Sequence, residues 1–102
     1  MIVVRIVFQT KWGKAQVAVD EFKRAAEMMR RVTGPNAHVR IYTDLSGPFH
    51  TVVQEIEVES LAKWEQLRAA MFSSPEFQES ELSTGLDFES GHQEFYTLEA
   101  AW

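Results

Sequence analysis

Hydrophobic residues recur along this chain with two different periods, and the order in which those periods alternate limits the fold. Apolar and polar side chains alternate in residues 2–10 with the two-residue period of a strand. From Gly13 to Thr33 apolar residues return every three or four positions, as in an amphipathic helix. Two further strands are predicted in residues 37–43 and 49–58, and the short turn Asp44–Pro48 between them predicts an antiparallel hairpin.

The second half of the chain repeats the change from strand to helix and back to strand. Ser60 stands where an N-cap belongs, and an apolar stripe from Leu61 to Met71 follows it. Pro75 begins a shorter helical turn, residues 82–91 are predicted to form a loop, and residues 92–100 alternate as a final strand. The order β-α-β-β-α-β predicts an α+β fold with a four-stranded antiparallel sheet, ordered 4-1-3-2, and both helices on one face.

Length, charge and cysteine content narrow the classes of function. The 102 residues, 45% of them hydrophobic, are expected to form a single soluble domain spanning 1–102. A net charge of −5 at pH 7 disfavours nucleic acid and membrane surfaces, and we expect neither as a partner. Zero cysteines exclude disulfides and fit a cytoplasmic location. Arg5 interrupts the apolar N-terminal run, which therefore indicates a strand and not a signal peptide.

The predicted sheet has one face that mixes apolar and charged side chains. Ile2 and the other even-numbered residues of the first strand supply the helix-covered face, which leaves Arg5 and Val7 on the opposite face. Arg40 and Tyr42 of the second strand share that opposite face. A water-facing sheet would explain the charges equally well, but it explains the valine and the tyrosine less well. A mixed face suits packing against a second copy of the same sheet, which predicts a homodimer.

The register of the third strand decides which charges meet on that face. If Thr43 pairs with Pro48 across the turn, Arg40 lies opposite Thr51 and shares its face with Glu55. Opposite charges on neighbouring strands stabilise each other by roughly 0.2–1 kcal/mol per pair. A slip of one residue would move Glu55 to the other face of the sheet.

Two segments complete a pattern that extends over essentially the whole chain. In VVQEIEVESLAKWE the third strand passes through Ser60 into a helix, and EFYTLE forms the late strand. In element order and in these segments the chain resembles the dimeric α+β barrel superfamily, which is ferredoxin-like, and within it the NIPSNAP-like proteins. The resemblance implies a homodimer through the sheet faces, with a ligand either between helices and sheet or between the paired sheets.

The resemblance does not select a reaction. Members of the superfamily include cofactor-independent monooxygenases, haem-degrading and haem-dependent enzymes, isomerases and proteins without known activity. No motif of an enzymatic branch maps onto this sequence, so no family catalytic residue is carried over. We therefore expect no cofactor, and the sequence leaves open whether the protein is an enzyme.

Histidines are the candidate catalytic residues. His50 follows the hairpin turn and His38 begins the second strand, so either could act as a general base. An exposed histidine at a strand end is the simpler interpretation of both. They fall at opposite ends of the hairpin, His92 begins another strand, and no metal-ligand spacing is present, so no metal site is expected.

The candidate ligand-binding residues lie on strands that reach the mixed face or its rim. They are Arg5, Arg40, Tyr42, Phe49 and Tyr96. The arginines could orient a carboxylate or an enolate, and the aromatic rings could stack on an apolar ligand. These residues predict binding of a small apolar or aromatic organic molecule, for which the family resemblance suggests cofactor-independent monooxygenase or isomerase chemistry. The alternative is a non-catalytic structural or regulatory dimer.

Overall fold

The computed structural model describes residues 1–33, 38–80 and 88–102. Its elements are, in chain order, β1 (Ile2–Thr10), α1 (Ala15–Thr33), β2 (His38–Thr43), β3 (Thr51–Val58), α2 (Leu61–Ser73), α3 (Pro75–Gln78) and β4 (Phe88–Thr97). The four strands form one antiparallel sheet in the order β2-β3-β1-β4. The predicted α+β, ferredoxin-like topology is therefore confirmed.

Two elements begin later than predicted, because one residue before each of them has a positive φ angle that interrupts the helix or strand. Helix α1 begins at Ala15, since Gly13 has a φ of 78° and lies in a turn. Strand β3 begins at Thr51, since His50 has a φ of 60°, which is outside the strand region. Ala37, predicted to open the second strand, lies outside the described residues.

Strand β4 begins earlier than predicted, at Phe88, so residues 88–91 are strand and not loop. Gly91 suggested a loop, but it pairs with Phe8 of β1. A Cβ at Gly91 would lie 2.4 Å from Cδ1 of the Phe8 ring. Residue 91 can pair in the strand because glycine has no side chain, and the Phe8 ring fills the space that a side chain would occupy. Residues 82–87 of the predicted loop lie outside the described residues.

The connection between β2 and β3 is longer than predicted, and the register differs accordingly. Arg40 pairs with Glu55 and not with Thr51. Asp44 closes the connection, because its backbone N–H donates to the Thr51 carbonyl and its Oδ1 accepts from the Thr51 N–H at 3.0 Å. The pairing moves by an even number of residues, so Arg40 and Glu55 share a face as predicted.

Side chains of the helices and of one sheet face form two buried clusters. The larger joins both long helices to the sheet and contains Val4, Ala25, Met28, Met29, Ile56, Val58, Trp64, Leu67 and Met71. The smaller contains Ala18, Phe22 and Val52. Gln54, only 3% exposed, follows Val52 on the same face of β3 and precedes Ile56, so it lies between the clusters. Leu61, predicted to join the apolar stripe of α2, is exposed.

Candidate functional site

The face of the sheet opposite the two core clusters, called here the open face, carries a row of alternating charges. Arg40 lies opposite Glu55, Glu55 opposite Arg5, and Arg5 opposite Glu94, so the row crosses all four strands. Nη1 of Arg5 donates to Oε1 of Glu94 at 2.9 Å. This hydrogen bond raises the pKa of Arg5 and lowers the pKa of Glu94. Hydrogen bonding with the Tyr42 hydroxyl raises the pKa of Arg40.

Beside the charged row, the centre of the open face is apolar. Val7 and Val53 lie opposite each other on the central strands and are only 9% and 7% exposed. Tyr42 and His92 flank them on the edge strands. Nε2 of His92 lies 3.5 Å from Oε2 of Glu94, which places a titratable group next to the charged row.

Four of the five predicted ligand-binding residues share the open face. Arg5, Arg40 and Tyr42 lie there as predicted, and Tyr96 joins them because it pairs with Val3 of β1. Phe49 does not: it lies in the connection between β2 and β3 and is 75% exposed. The structure thus brings together both arginines and both tyrosines and separates the phenylalanine from them.

The two histidines predicted as bases occupy different environments. The carbonyl of His50 accepts from the backbone N–H of Thr10 at 2.9 Å and from its Oγ1 at 3.3 Å. The His50 ring lies against Trp12, with 4.6 Å between the ring centroids. These contacts of the His50 backbone and ring hold the turn next to β1. His38 begins β2 and lines the larger of the two cavities described here.

This larger cavity, of about 600 Å³, lies between α1, α2 and the sheet, where β2 begins and β3 ends. Its floor is apolar and includes Met29, Val39, Ile56, Val58 and Leu67. Its polar residues are His38, Glu57, Glu59, Lys63 and Gln66. An apolar floor with a few polar groups is typical of sites that bind small organic molecules, and the volume is within their usual range of about 300–1,000 Å³.

The sequence interpretation did not identify the helix residues of this cavity. Lys63, Gln66 and Ala70 recur three and four positions apart on α2, beside the buried Leu67. Such spacing places them along one side of the helix. The spacing of Lys63, Gln66 and Ala70 next to the apolar side of α2 is visible in the sequence. The sequence does not show that this side of the helix faces a cavity.

Two further features are absent from the described ranges, a metal-binding cluster and a membrane-spanning helix. Residues 1–33, 38–80 and 88–102 contain no group of three or more histidine, cysteine, aspartate or glutamate side chains that could hold a metal ion. In the same ranges, no helix has both the length and the apolar character needed to cross a membrane.

The sheet order and the antiparallel pairing define the fold as ferredoxin-like α+β, and solved structures share it. An uncharacterised NIPSNAP domain protein from Burkholderia xenovorans has a TM-score of 0.78 at 17% identity, covering 98% of this chain and 96% of that chain. A NIPSNAP family protein from Agrobacterium tumefaciens has a TM-score of 0.77 at 16% identity, covering 94% and 90%. An antibiotic biosynthesis monooxygenase has a TM-score of 0.70 at 13% identity, covering 98% and 100%.

At these identities the likeness shows the fold. No family model matches the sequence, and no curated protein matches it. The resemblance to NIPSNAP-like proteins is confirmed at the level of the fold, because the solved structures that share the fold include NIPSNAP proteins.

Proposed function

We propose that the protein is a small homodimer that binds a small, largely apolar or aromatic organic molecule. The observation that carries the proposal is the cavity of about 600 Å³ between the helices and the sheet. Its apolar floor favours removal of an apolar ligand from water, while the polar groups fix the orientation of that ligand. We place the protein in the cytoplasm, where disulfides are rare, because the sequence has no cysteine and its fold depends on no disulfide.

A second copy of the chain is the proposed partner, and the open face is the proposed interface. The rings of Tyr42 and Tyr96, which are 43% and 50% exposed on this face, support this pairing, because exposed apolar surface rimmed by charged groups is typical of an interface. The row from Arg40 to Glu94 also supports it, since a two-fold axis can bring the positive end of one row against the negative end of the other. Light scattering after size exclusion tests the pairing, and a monomer at every concentration would exclude it.

For the bound molecule we propose cofactor-independent monooxygenase or isomerase chemistry. The fold is shared with an antibiotic biosynthesis monooxygenase, which supports the first reaction by analogy of fold. His38 lines the cavity, and an imidazole nitrogen can accept a proton from a bound molecule, so His38 is the proposed general base.

The competing function is a non-catalytic structural or regulatory dimer. The hydrogen bond between Arg5 and Glu94 favours it, because a guanidinium already bound to a carboxylate has less to offer an anionic ligand. In that case the arginines of the open face neutralise charge at the interface and bind no ligand.

Filling the cavity from α2 tests ligand binding. Ala70 lines the cavity, and we expect Ala70→Phe to abolish binding of 2-naphthol, a fluorescent probe, because the new ring occupies the space of the ligand. Ala69, the preceding residue of the same helix, is exposed, so Ala69→Phe is the matched control and should bind as the wild type does. Equal binding by the two variants, with circular dichroism showing both folded, would place the ligand elsewhere.

A further inference from the structure

We propose that a second, smaller cavity, between α1 and α3, binds a small organic ammonium ion. This cavity of about 250 Å³ is lined by residues of α1, by residues of α3 and by Glu79 and Ser80, which follow α3. It shares no lining residue with the larger cavity. The proposal is therefore independent of the function proposed for the larger one.

The buried carboxylate of Glu21 is the observation that points to a ligand. Glu21 lines the cavity and is only 7% exposed, although glutamate is rarely buried without partners. Its Oε1 accepts from Nη1 of Arg24 at 2.8 Å. Its Oε2 is buried and has no hydrogen-bond partner among the described residues. Leaving this oxygen unpaired is costly, so a rotation of the Glu21 carboxyl group that brings it to a donor in the cavity would be favourable.

The charges around the cavity show what kind of donor is favoured. Three carboxylates, those of Glu21, Glu76 and Glu79, line the cavity. Arg24, which also lines the cavity, pairs with Glu21, and Arg31, which does not line it, pairs with Glu76. Two guanidinium groups therefore face three carboxylates among the described residues. A ligand with one positive charge would balance this local excess, so a cationic donor fits better than a neutral one.

The apolar lining residues and the volume of the cavity indicate the apolar part of the ligand and its size. Phe77 and Met28 line the cavity and offer an aromatic ring and a thioether, which suit a short apolar body next to the cationic group. The volume is just below the roughly 300 Å³ at which pockets for drug-sized molecules begin. The carboxylates do not converge as metal ligands do, since no group of three ligating side chains occurs in the described ranges. A small primary ammonium ion with an aromatic or short aliphatic body meets these conditions.

Titration of the full chain with three probes of similar shape and different charge tests the proposal. Benzylammonium carries the predicted positive donor, benzyl alcohol is neutral, and benzoate is negative. We expect benzylammonium to bind in the millimolar range or tighter at neutral pH, and more tightly than the other two, as measured by chemical-shift changes at α1 and α3. Failure of benzylammonium to bind, or equal binding of all three probes, would overturn the proposal.

A pair of variants identifies the carboxylate responsible. Glu21→Gln keeps the shape and replaces the charged acceptor, so benzylammonium binding should weaken roughly tenfold or more. Glu27→Gln removes an exposed charge from the same helix and should leave binding unchanged. If Glu21→Gln does not fold, the exposed Glu79→Gln should still weaken binding. Unchanged affinity in Glu21→Gln, or in Glu79→Gln where that variant replaces it, would show that the cavity does not hold the ammonium group.

Discussion

Phe8 occupies, next to β4, the space that a side chain at Gly91 would need. Its ring packs at 4.6 Å from that of Phe88 and at 5.5 Å from that of Phe22, measured between centroids. The ring is therefore held from several sides and cannot move away freely. Gly91, on the edge strand β4, thus leaves room for the Phe8 ring, which packs against the smaller core cluster.

We expect Gly91→Ala to lower the free energy of unfolding by about 1–3 kcal/mol, because the added methyl group overlaps the ring of Phe8. Urea unfolding measures the change. Ser90→Ala, at the neighbouring position, is the control and should stay within about 0.5 kcal/mol of the wild type. In the Gly91→Ala background, Phe8→Leu should cost less than it does in the wild type. An unchanged midpoint for Gly91→Ala would contradict the observed pairing of Gly91 with Phe8.

Single residues also show where prediction from the sequence ends. Alternation predicted which side chains share a face, and Arg40 and Glu55 do. It did not predict their pairing, because the register depends on the length of the connection, and that length follows from the Asp44–Thr51 hydrogen bonds. Nor could helical periodicity show that Glu21 is buried, although its position three residues after Ala18 lies along the apolar side of α1.

At the scale of elements, caps and turns decide where helices begin and end. Ser60 is the N-cap of α2, and its Oγ accepts from the Lys63 N–H at 3.2 Å. Ser74 has the same role for α3, where Pro75 is the first residue. These starts were predictable, because they depend on local side-chain chemistry. The starts of α1 and β3 were not, because they depend on the backbone angles of Gly13 and His50.

We expect Ser60→Ala to destabilise the protein by about 1 kcal/mol, since the Lys63 N–H loses its acceptor at the helix end. Thermal unfolding followed by circular dichroism measures the loss. Ser60→Asp keeps an acceptor at the cap and should retain most of the stability. A loss as large in Ser60→Asp as in Ser60→Ala would show that capping is not the reason.

At the scale of the whole molecule, the proposed dimer would place the charged row of the open face between two sheets. The ion pair of Arg5 and Glu94 contributes little in a single chain, because both side chains keep part of their contact with water. Burial between two copies would make each pairing more important, because an unpaired charge left there is strongly unfavourable.

We expect Arg40→Met to weaken the dimer, because Glu55 opposite it would be left without this positive neighbour in the interface. Adding Glu55→Gln should recover part of the loss. Sedimentation at several protein concentrations measures both dissociation constants, and Lys23→Met on the exposed side of α1 is the control. If neither variant changes dimerisation while binding of a ligand is lost, Arg40 belongs to a ligand site.

The pair of Arg5 and Glu94 also predicts a pH dependence. The hydrogen bond from Arg5 lowers the pKa of Glu94, so its stabilisation is complete above the usual carboxyl pKa. It is lost as the pH falls through the lowered value and the carboxylate takes up a proton. We therefore expect the difference in unfolding free energy between the wild type and Arg5→Met to shrink from neutral to strongly acidic pH. A difference that is constant with pH would show that the pair does not contribute.

The two core clusters, which Gln54 separates, involve different helices, and this division affects which part of the molecule unfolds first. The smaller cluster takes its buried helical residues from α1 alone, whereas the larger takes them from α1 and α2. We therefore expect α2 to detach while Phe22 and Val52 still hold α1 on the sheet, as a sub-global unfolding step of lower free energy than complete unfolding. Because α2 forms one wall of the larger cavity, the same step would expose the sheet residues Ile56 and Val58 of its floor and would give the proposed ligand a route of entry.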